Sequence, residues 1–330
     1  MKITVIGAGA WGTALANLLA ENGHETLLWA YEPDVVDSVN TQSENRRFLT
    51  GVPLHQSLRA TPSLQTACAA AELIIYASPS HVLREVANQA ARWVPPAVPL
   101  VVATKGIERG PLSLMTDVVA EETPGRPVVA LSGPTFALEV ASHLPTAIVA
   151  ASKDADAARL TQQTLSTSAF RVYTQTDVTG VELGGALKNV MAVATGISDG
   201  LQLGFNARAA LITRGLAEMT RLGVKLGADA ATFAGLAGIG DLVLTCTGSL
   251  SRNRSVGIEI GRGATLSEVL QGRDTVAEGV TTTESARALA ELHGIDMPIV
   301  RAVHRVLFER QPARWALVEL MTRDLREEND

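Results

Sequence analysis

Cysteine is nearly absent from this chain: two residues in 330, Cys68 and Cys246. They are far apart and in no metal-ligand spacing, which argues against a disulfide framework and a structural zinc site and fits a reducing compartment. The six histidines form no H-x-x-H or H-E-x-x-H pattern, so no metal site is expected. Aromatic residues are scarce at 4 %, which disfavours an all-β sandwich. Long basic runs are missing and the formal net charge is −6, so a nucleic-acid backbone is not an expected partner and any bound anion must be held locally. No uncharged apolar run reaches the ~18 residues of a spanning helix. The start, MKITVIGAGAWG, enters a folded motif directly with no signal peptide. A soluble, cytoplasmic protein is the expectation.

What is plentiful is glycine, 28 residues, within a 46 % hydrophobic composition. That mix suits an α/β protein with many tight strand–helix turns. The first half alternates the two kinds of segment. Lys2–Ile6, Glu25–Ala30, Glu72–Ala77, Leu100–Ala103 and Val128–Leu131 read as strands; Trp11–Glu21, Pro33–Asn40 and His81–Arg92 read as helices. Continuous apolar strands between helices imply a parallel sheet covered on both faces and a doubly wound domain. After about Asp177 the pattern turns helical. A long apolar helix capped by Thr176 and Asp177 runs through Ile197, and further helices fall near 207–222, 255–260, 265–270, 282–293, 298–308 and 313–323. The expected division is residues 1–177 and 178–330, with a frayed tail at Arg326–Asp330.

Gly7-Ala8-Gly9-Ala10-Trp11-Gly12 lies directly after the first strand and opens the first helix. Gly7 permits the tight turn, Gly9 lets amides approach a pyrophosphate, and Gly12 lets the helix pack close to the sheet. The helix start, including Ala10, offers unpaired N–H groups and a positive dipole end to an anion. The motif predicts a nicotinamide dinucleotide. Glu32, just past the second strand, is a candidate for the adenosine ribose; Tyr31 is placed to stack on adenine; Arg46 and Arg47 are alternative receivers of a 2′-phosphate. NAD and NADP both stay open.

Lysine is rare: five residues, against 23 arginines. A lysine in an apolar setting therefore needs a reason, and lysine is the cation whose pKa falls on burial. Lys188 sits mid-helix in VELGGALKNVMAVATGI, with Gly184, Gly185 and Ala192 near its face leaving room for a small ligand. Lys105 follows the strand LVVATK at its carboxyl end, where open α/β sheets bind ligands. Asp241 is the only charge between Ala230 and Leu250 and is a candidate partner for a buried lysine; Thr245 would share its face on a helix. Ser251-Arg252-Asn253-Arg254, a capped helix start with two guanidinium groups, reads as a phosphate site. Gly133-Pro134-Thr135-Phe136 after VVALS could present amides to a substrate. Met191 reads as core. The arginine-rich run Arg301–Arg314 reads as a solvated or dimer-facing helix.

Together these segments resemble the bacterial NAD(P)-dependent glycerol-3-phosphate dehydrogenases over nearly the whole chain: GAGAWGTALA, SPSH, ATKGIE, LSGPTFALE, GGALKNVMAVATGISDGL, GLAGIGDLVLTCTG, SRNRSVG and VAEGV. The resemblance implies a Rossmann-type doubly wound N-terminal domain with an all-helical C-terminal domain, 6-phosphogluconate dehydrogenase-like. It implies hydride exchange between NAD(P)H and dihydroxyacetone phosphate, giving sn-glycerol 3-phosphate for phospholipid synthesis, and a homodimer.

It also implies residue roles. Lys188 matches the proton donor/acceptor, Asp241 and Thr245 the groups that orient it, with Asn189 beside it. Lys105 matches a residue touching substrate and cofactor. Gly133, Thr135, Ser251, Arg252 and Asn253 match substrate contacts, the last three around the phosphate. Trp11, Tyr31, Ala137, Arg252, Val276 and Glu278 match cofactor positions. Tyr31 stands where relatives often carry His or Arg, which puts an NADP preference in doubt. A β-hydroxyacid-type dehydrogenase shares the fingerprint and a mid-helix lysine, but Asp241 and Thr245 followed by SRNR favour the glycerol phosphate case. A non-catalytic NAD(P)-binding module would need neither Lys188 nor Asp241.

Overall fold

Alternation along the strands decides the layering. In the strand Leu73–Tyr76, Leu73 and Ile75 join one apolar cluster and Ile74 and Tyr76 another, so both faces of the sheet are covered. The computed structural model describes residues 1–271, 277–322, 324 and 327. The expected fraying of Arg326–Asp330 lies almost wholly outside the described residues.

The first half runs β1 (Lys2–Ile6), α1 (Ala10–Glu21), β2 (Glu25–Trp29), α2 (Pro33–Gln42), β3 (Glu44–Asn45), β4 (Leu49–Pro53), β5 (Arg59–Thr61), α3 (Leu64–Cys68), β6 (Leu73–Tyr76), α4 (Leu83–Ala91), β7 (Leu100–Val102), α5 (Met115–Glu122), β8 (Val128–Ser132), α6 (Ala137–Ala141), β9 (Thr146–Ala151), α7 (Ala155–Leu165) and β10 (Phe170–Gln175). Eight strands form one sheet in the order β10-β9-β8-β7-β6-β1-β2-β5; β3 and β4 make a separate antiparallel hairpin. The sheet departs from the expected all-parallel pattern at one pair: β8 and β9 are antiparallel. The link from β8 to β9 holds only the five-residue α6 and short turns, too little for a right-handed crossover, so the chain reverses. Strand order reverses between β1 and β6, which opens a crevice at the carboxyl ends of these two strands.

The second half is helical among its described residues: α8 (Val178–Gly200), α9 (Gly204–Lys225), α10 (Ala230–Phe233), a π-helical turn (Leu236–Gly240), α11 (Asp241–Thr247), α12 (Arg252–Gly261), α13 (Leu266–Leu270), α14 (Glu278–His293), α15 (Pro298–Phe308) and α16 (Ala313–Met321). Short polar side chains start several of these helices. Asp177 caps α8 through Gly180 N at 2.9 Å, Asp229 caps α10, Ser251 caps α12, and Thr265 with Glu268 forms a capping box on α13. The run Arg301–Arg314 is not one helix. It breaks between α15 and α16, and Arg301 and Arg305 pair with Asp296 and Glu319.

α8 is the axis of this half, buried from Gly180 to Ser198, with Met191 fully enclosed as expected. It touches α12 backbone to backbone. Gly196 and Gly200 on α8 lie against Arg254 O and Ile258 O, while Gly257 and Gly261 on α12 lie against Val193 O and Ile197 O. A methyl at any of the four would collide with a carbonyl that belongs to the opposite helix, an overpacking cost of about 1–3 kcal/mol. The stretch Ala230–Thr247 has the length and apolarity to cross a membrane as one continuous helix. It is instead folded into α10, the π turn and α11, with Asp241 buried at its centre.

Candidate active site

The glycine-rich turn sits in the crevice between β1 and β6. Gly7 has φ +115°, and a Cβ there would lie 2.6 Å from Ser78 N in the facing loop after β6. A Cβ on Gly12 would run into Gly7 O. Gly9, the N-cap of α1, contributes no side-chain cap and borders open space, leaving the first-turn amides of Ala10, Trp11 and Gly12 for an anion. Two buried polar atoms here, Trp11 Nε1 and Ser78 Oγ, have no partner among the described residues. A cradle without side chains, a helix N-terminus and unpaired donors fit the pyrophosphate of a dinucleotide.

At the adenosine end, Tyr31 is 79 % exposed, and Glu32 is the N-cap residue of α2 with no side-chain cap bond. Arg47 reaches Asp34 in the first turn of α2 at 3.5 Å, and Arg46 pairs with Glu44 at 3.2 Å. Of the basic candidates, Arg47 thus reaches the helix start where Glu32 lies, while Arg46 is held in the β3–β4 hairpin region by Glu44.

A chain of charge crosses from the sheet edge into the helical half. Lys188 Nζ donates to Asp241 Oδ1 at 2.5 Å and to Thr245 Oγ1 at 2.8 Å. Lys105, after β7, donates to the other oxygen, Asp241 Oδ2, at 2.7 Å and to Gly133 O at 3.1 Å. Asp241 is fully buried and Lys188 is 6 % exposed. Burial pushes the Lys188 ammonium down to about 8, against the opposing pull of Asp241 and with help from the neighbouring charge of Lys105. Asp241 begins α11 but does not cap it: its carboxylate is spent on the two lysines, and Thr245, one turn on, completes the grip.

The space expected beside Lys188 is only partly there. Gly184 is filled by the Ala237 carbonyl of the π turn, and Gly185 by Ser132 Oγ and the Lys105 stem. These glycines serve close packing of the helix against the sheet edge rather than a ligand.

On the far side, Asn189 Oδ1 accepts from Asn253 Nδ2 at 2.9 Å, and Asn253 Oδ1 accepts from Gly279 N at 2.9 Å, tying α8, α12 and α14 together. Ser251 Oγ accepts from Arg254 N at 3.2 Å as the α12 cap. The two guanidinium groups at this helix start are placed differently. Arg254 and Arg208 both bind Asp199, at 2.7 and 2.5 Å, which leaves Arg252 as the exposed one. Thr135 Oγ1 donates to Gly133 O at 3.2 Å, and Ala137 opens α6. Glu278, the first residue of α14, binds Ser80 N at 3.1 Å and Ser80 Oγ at 2.5 Å. Val276 lies outside the described residues.

Two family models cover most of the chain: "NAD-dependent glycerol-3-phosphate dehydrogenase N-terminus" matches residues 2–158, and the corresponding C-terminus model matches 177–318. The chain belongs to the NAD-dependent glycerol-3-phosphate dehydrogenase family. It is 56 % identical over 332 residues to a glycerol-3-phosphate dehydrogenase [NAD(P)+] of Geobacter metallireducens, covering 99 % of this chain and 98 % of that protein. A protein of the same name from Geobacter sp. strain M21 is 53 % identical over 330 residues, with the same coverage. The crystal structure of glycerol-3-phosphate dehydrogenase from Coxiella burnetii superposes with a TM-score of 0.94 at 42 % identity, over 98 % of this chain and 99 % of that one. The expected Rossmann-type sheet with a helical second half is therefore the architecture of this dehydrogenase family.

Within that family frame, sequence reasoning overlooked several residues. Ser80 lies in the quoted SPSH segment but had no role; its amide and hydroxyl both donate to Glu278. Glu182 carries the same signal as Lys188, a charge in an apolar helix, and was passed over. It is buried, accepts from Thr116 N at 2.8 Å and binds Thr116 Oγ1, and burial pushes its carboxyl up to about 7. A cavity of about 330 Å³ lies away from all of this, between Leu18, His143 and Phe170, and holds none of the expected site residues.

Proposed function

We propose that this chain reduces the C2 ketone of dihydroxyacetone phosphate with NAD(P)H and, in reverse, oxidises sn-glycerol 3-phosphate, with Lys188 as proton donor and acceptor. The observation that carries this reading is the single buried carboxylate of Asp241 holding two lysine amines at the carboxyl edge of the sheet.

The nicotinamide, when bound, supplies or receives the hydride. Everything else falls to the protein. The glycine turn, Ala10, Trp11, Tyr31 and Ala137 hold the dinucleotide, with Val276 and Glu278 from the helical half. Arg252 and the α12 start at Ser251 and Asn253 receive the phosphate, and this remote anchor orients the ketone. Gly133, Thr135, Lys105 and Asn189 line the reacting end. As negative charge develops on the C2 oxygen, the Lys188 ammonium stabilises it and gives up a proton, a role worth ~10²–10⁴-fold in rate. In the oxidative direction the neutral amine takes the alcohol proton back. A lysine held near 8 serves both directions near neutral pH.

We place the boundary at 177/178, with the substrate in the cleft between the two parts, and read the protein as a cytoplasmic homodimer whose product feeds phospholipid synthesis. The test is a steady-state assay of dihydroxyacetone phosphate reduction, NADH and NADPH side by side, against a panel of 3-hydroxy acids. Turnover of the triose phosphate alone supports the reading. Preferential turnover of a 3-hydroxy acid would replace it.

A further inference from the structure

Two glutamates are buried in the helical half, Glu182 on α8 and Glu218 on α9, and both do the same structural job. Glu182 accepts from Thr116 N at 2.8 Å in the first turn of α5, and Glu218 accepts from Ile299 N at 2.8 Å and Val300 N at 3.3 Å in the first turn of α15. Each thereby satisfies orphan amides of a helix that belongs to another part of the chain.

Their surroundings differ in one respect. Glu182 borders a cavity of about 10 Å³ whose other walls include Thr104, Lys105, Gly106 and Ser132. Ser132 Oγ is buried and has no partner among the described residues. A polar void of this size holds one water molecule when two or more polar groups face it. It lies directly behind the amine centre, since Lys105 is bound to Asp241 at 2.7 Å and Asp241 to Lys188 at 2.5 Å.

We propose that Glu182 is a positioning residue for the proton-transfer centre: its carboxylate, across the cavity it shares with Lys105 and Ser132, sets the field at the bonded Lys105–Asp241–Lys188 group and so the proton affinity of Lys188. The inference rests on Lys188 being the proton donor and acceptor. The charged groups around Glu182 are few. Asp117 on α5 lies nearby, itself in the field of Lys153 and Glu121; Lys105 lies across the cavity; Asp241 on α11 and Lys188 on its own helix come next. Glu182 and Lys188 are six residues apart on α8, a rise of about 9 Å. Six residues also turn about 240° around the axis, so the charged ends lie farther apart than the rise; at about 15 Å and an effective dielectric of ~20 a unit charge moves a neighbouring pKa by about half a unit to one unit. Burial pushes the Glu182 carboxyl up to about 7.

The experiment compares Glu182→Gln with Glu218→Gln in the full chain, each checked by circular dichroism and a urea transition. The readout is the pH profile of kcat/KM for glycerol 3-phosphate oxidation. Loss of the Glu182 charge makes Lys188 easier to deprotonate, so the acid limb moves to lower pH by about half a unit or more, with the KM for the cofactor unchanged. Glu218→Gln leaves the limb in place. A limb unmoved in a folded Glu182→Gln reduces Glu182 to a helix cap and overturns the proposal. Should Glu182→Gln fail to fold, Ser132→Ala removes a polar wall of the cavity and keeps the cap; a limb unmoved there overturns it equally. Failure of the underlying reading looks different: Lys188→Ala would keep near-native turnover, whatever the limb does.

Discussion

Lys105 and Lys188 bind the two oxygens of one carboxylate, Lys105 from the loop after β7 at 2.7 Å and Lys188 from α8 at 2.5 Å. Two ammonium groups this close repel each other, and Asp241, buried between them, is what makes the pair tolerable. The sheet and the helical half are therefore joined by charge at Asp241.

Removing Asp241 should be the most damaging single change in the site. Asp241→Ala leaves one buried and one half-buried amine with no counter-charge. Turnover is expected to fall at least ~10²-fold and stability by about 3–5 kcal/mol. Activity assays and urea transitions measure both, and a variant as stable as the parent would contradict the buried-pair account.

Lys188→Ala is expected to lower kcat by ~10²–10⁴-fold while NADH still binds, as read by quenching of protein fluorescence. The glycine turn proposed to hold the dinucleotide shares no hydrogen bond with Lys188, so cofactor affinity serves as the internal control.

The pH dependence has a definite sign in each direction. Lys188 must be neutral to accept a proton from the alcohol, so oxidation rises with pH through about 8. It must be charged to donate, so ketone reduction falls above about 8. Coincident profiles in the two directions would remove Lys188 from the proton step.

Arg252→Ala is expected to raise the KM for dihydroxyacetone phosphate by ~10-fold or more, with a smaller change in kcat. Arg254→Ala should act differently. It breaks the Asp199 cluster shared with Arg208, so it lowers stability more than substrate affinity. Equal effects of the two substitutions on KM would return Arg254 to the phosphate site.

The buried carboxyls predict a stability trend. Glu218 has a folded pKa pushed up to about 7 from an ordinary 4.5 by burial. The stability linked to its proton is fully present below 4.5 and is lost as pH rises through 7. Glu218→Gln, which cannot ionise, should flatten this slope between pH 5 and 8. Urea midpoints across that range test it, and an unchanged slope would mean the carboxyl titrates normally.

Much of this was legible in the residues. The Gly7–Gly12 turn has one physical use in its strand–helix context, and a lysine in VELGGALKNV has no route to water, so Lys188 declared itself and Asp241 followed as its only neutral-segment partner. The antiparallel β9 was not legible, because TAIVAA reads equally as a parallel or reversed strand and only the short β8–β9 link decides. Nor was the fate of Arg254, whose partner Asp199 lies 55 residues away in sequence. Glu182 carried a readable signal, but its neighbours Thr116 and Ser132 are brought to it only by the tertiary fold.

The four glycines between α8 and α12 have one more consequence. Lys188 sits on one of these helices and Arg252 begins the other, so the spacing of the two side chains follows from how nearly the two backbones touch. On the roles proposed for these two residues, the length of the substrate is gauged by a spacer made of missing side chains. Widening it by a single alanine at Gly196 should relax discrimination between a three-carbon and a four-carbon phosphate before it abolishes catalysis.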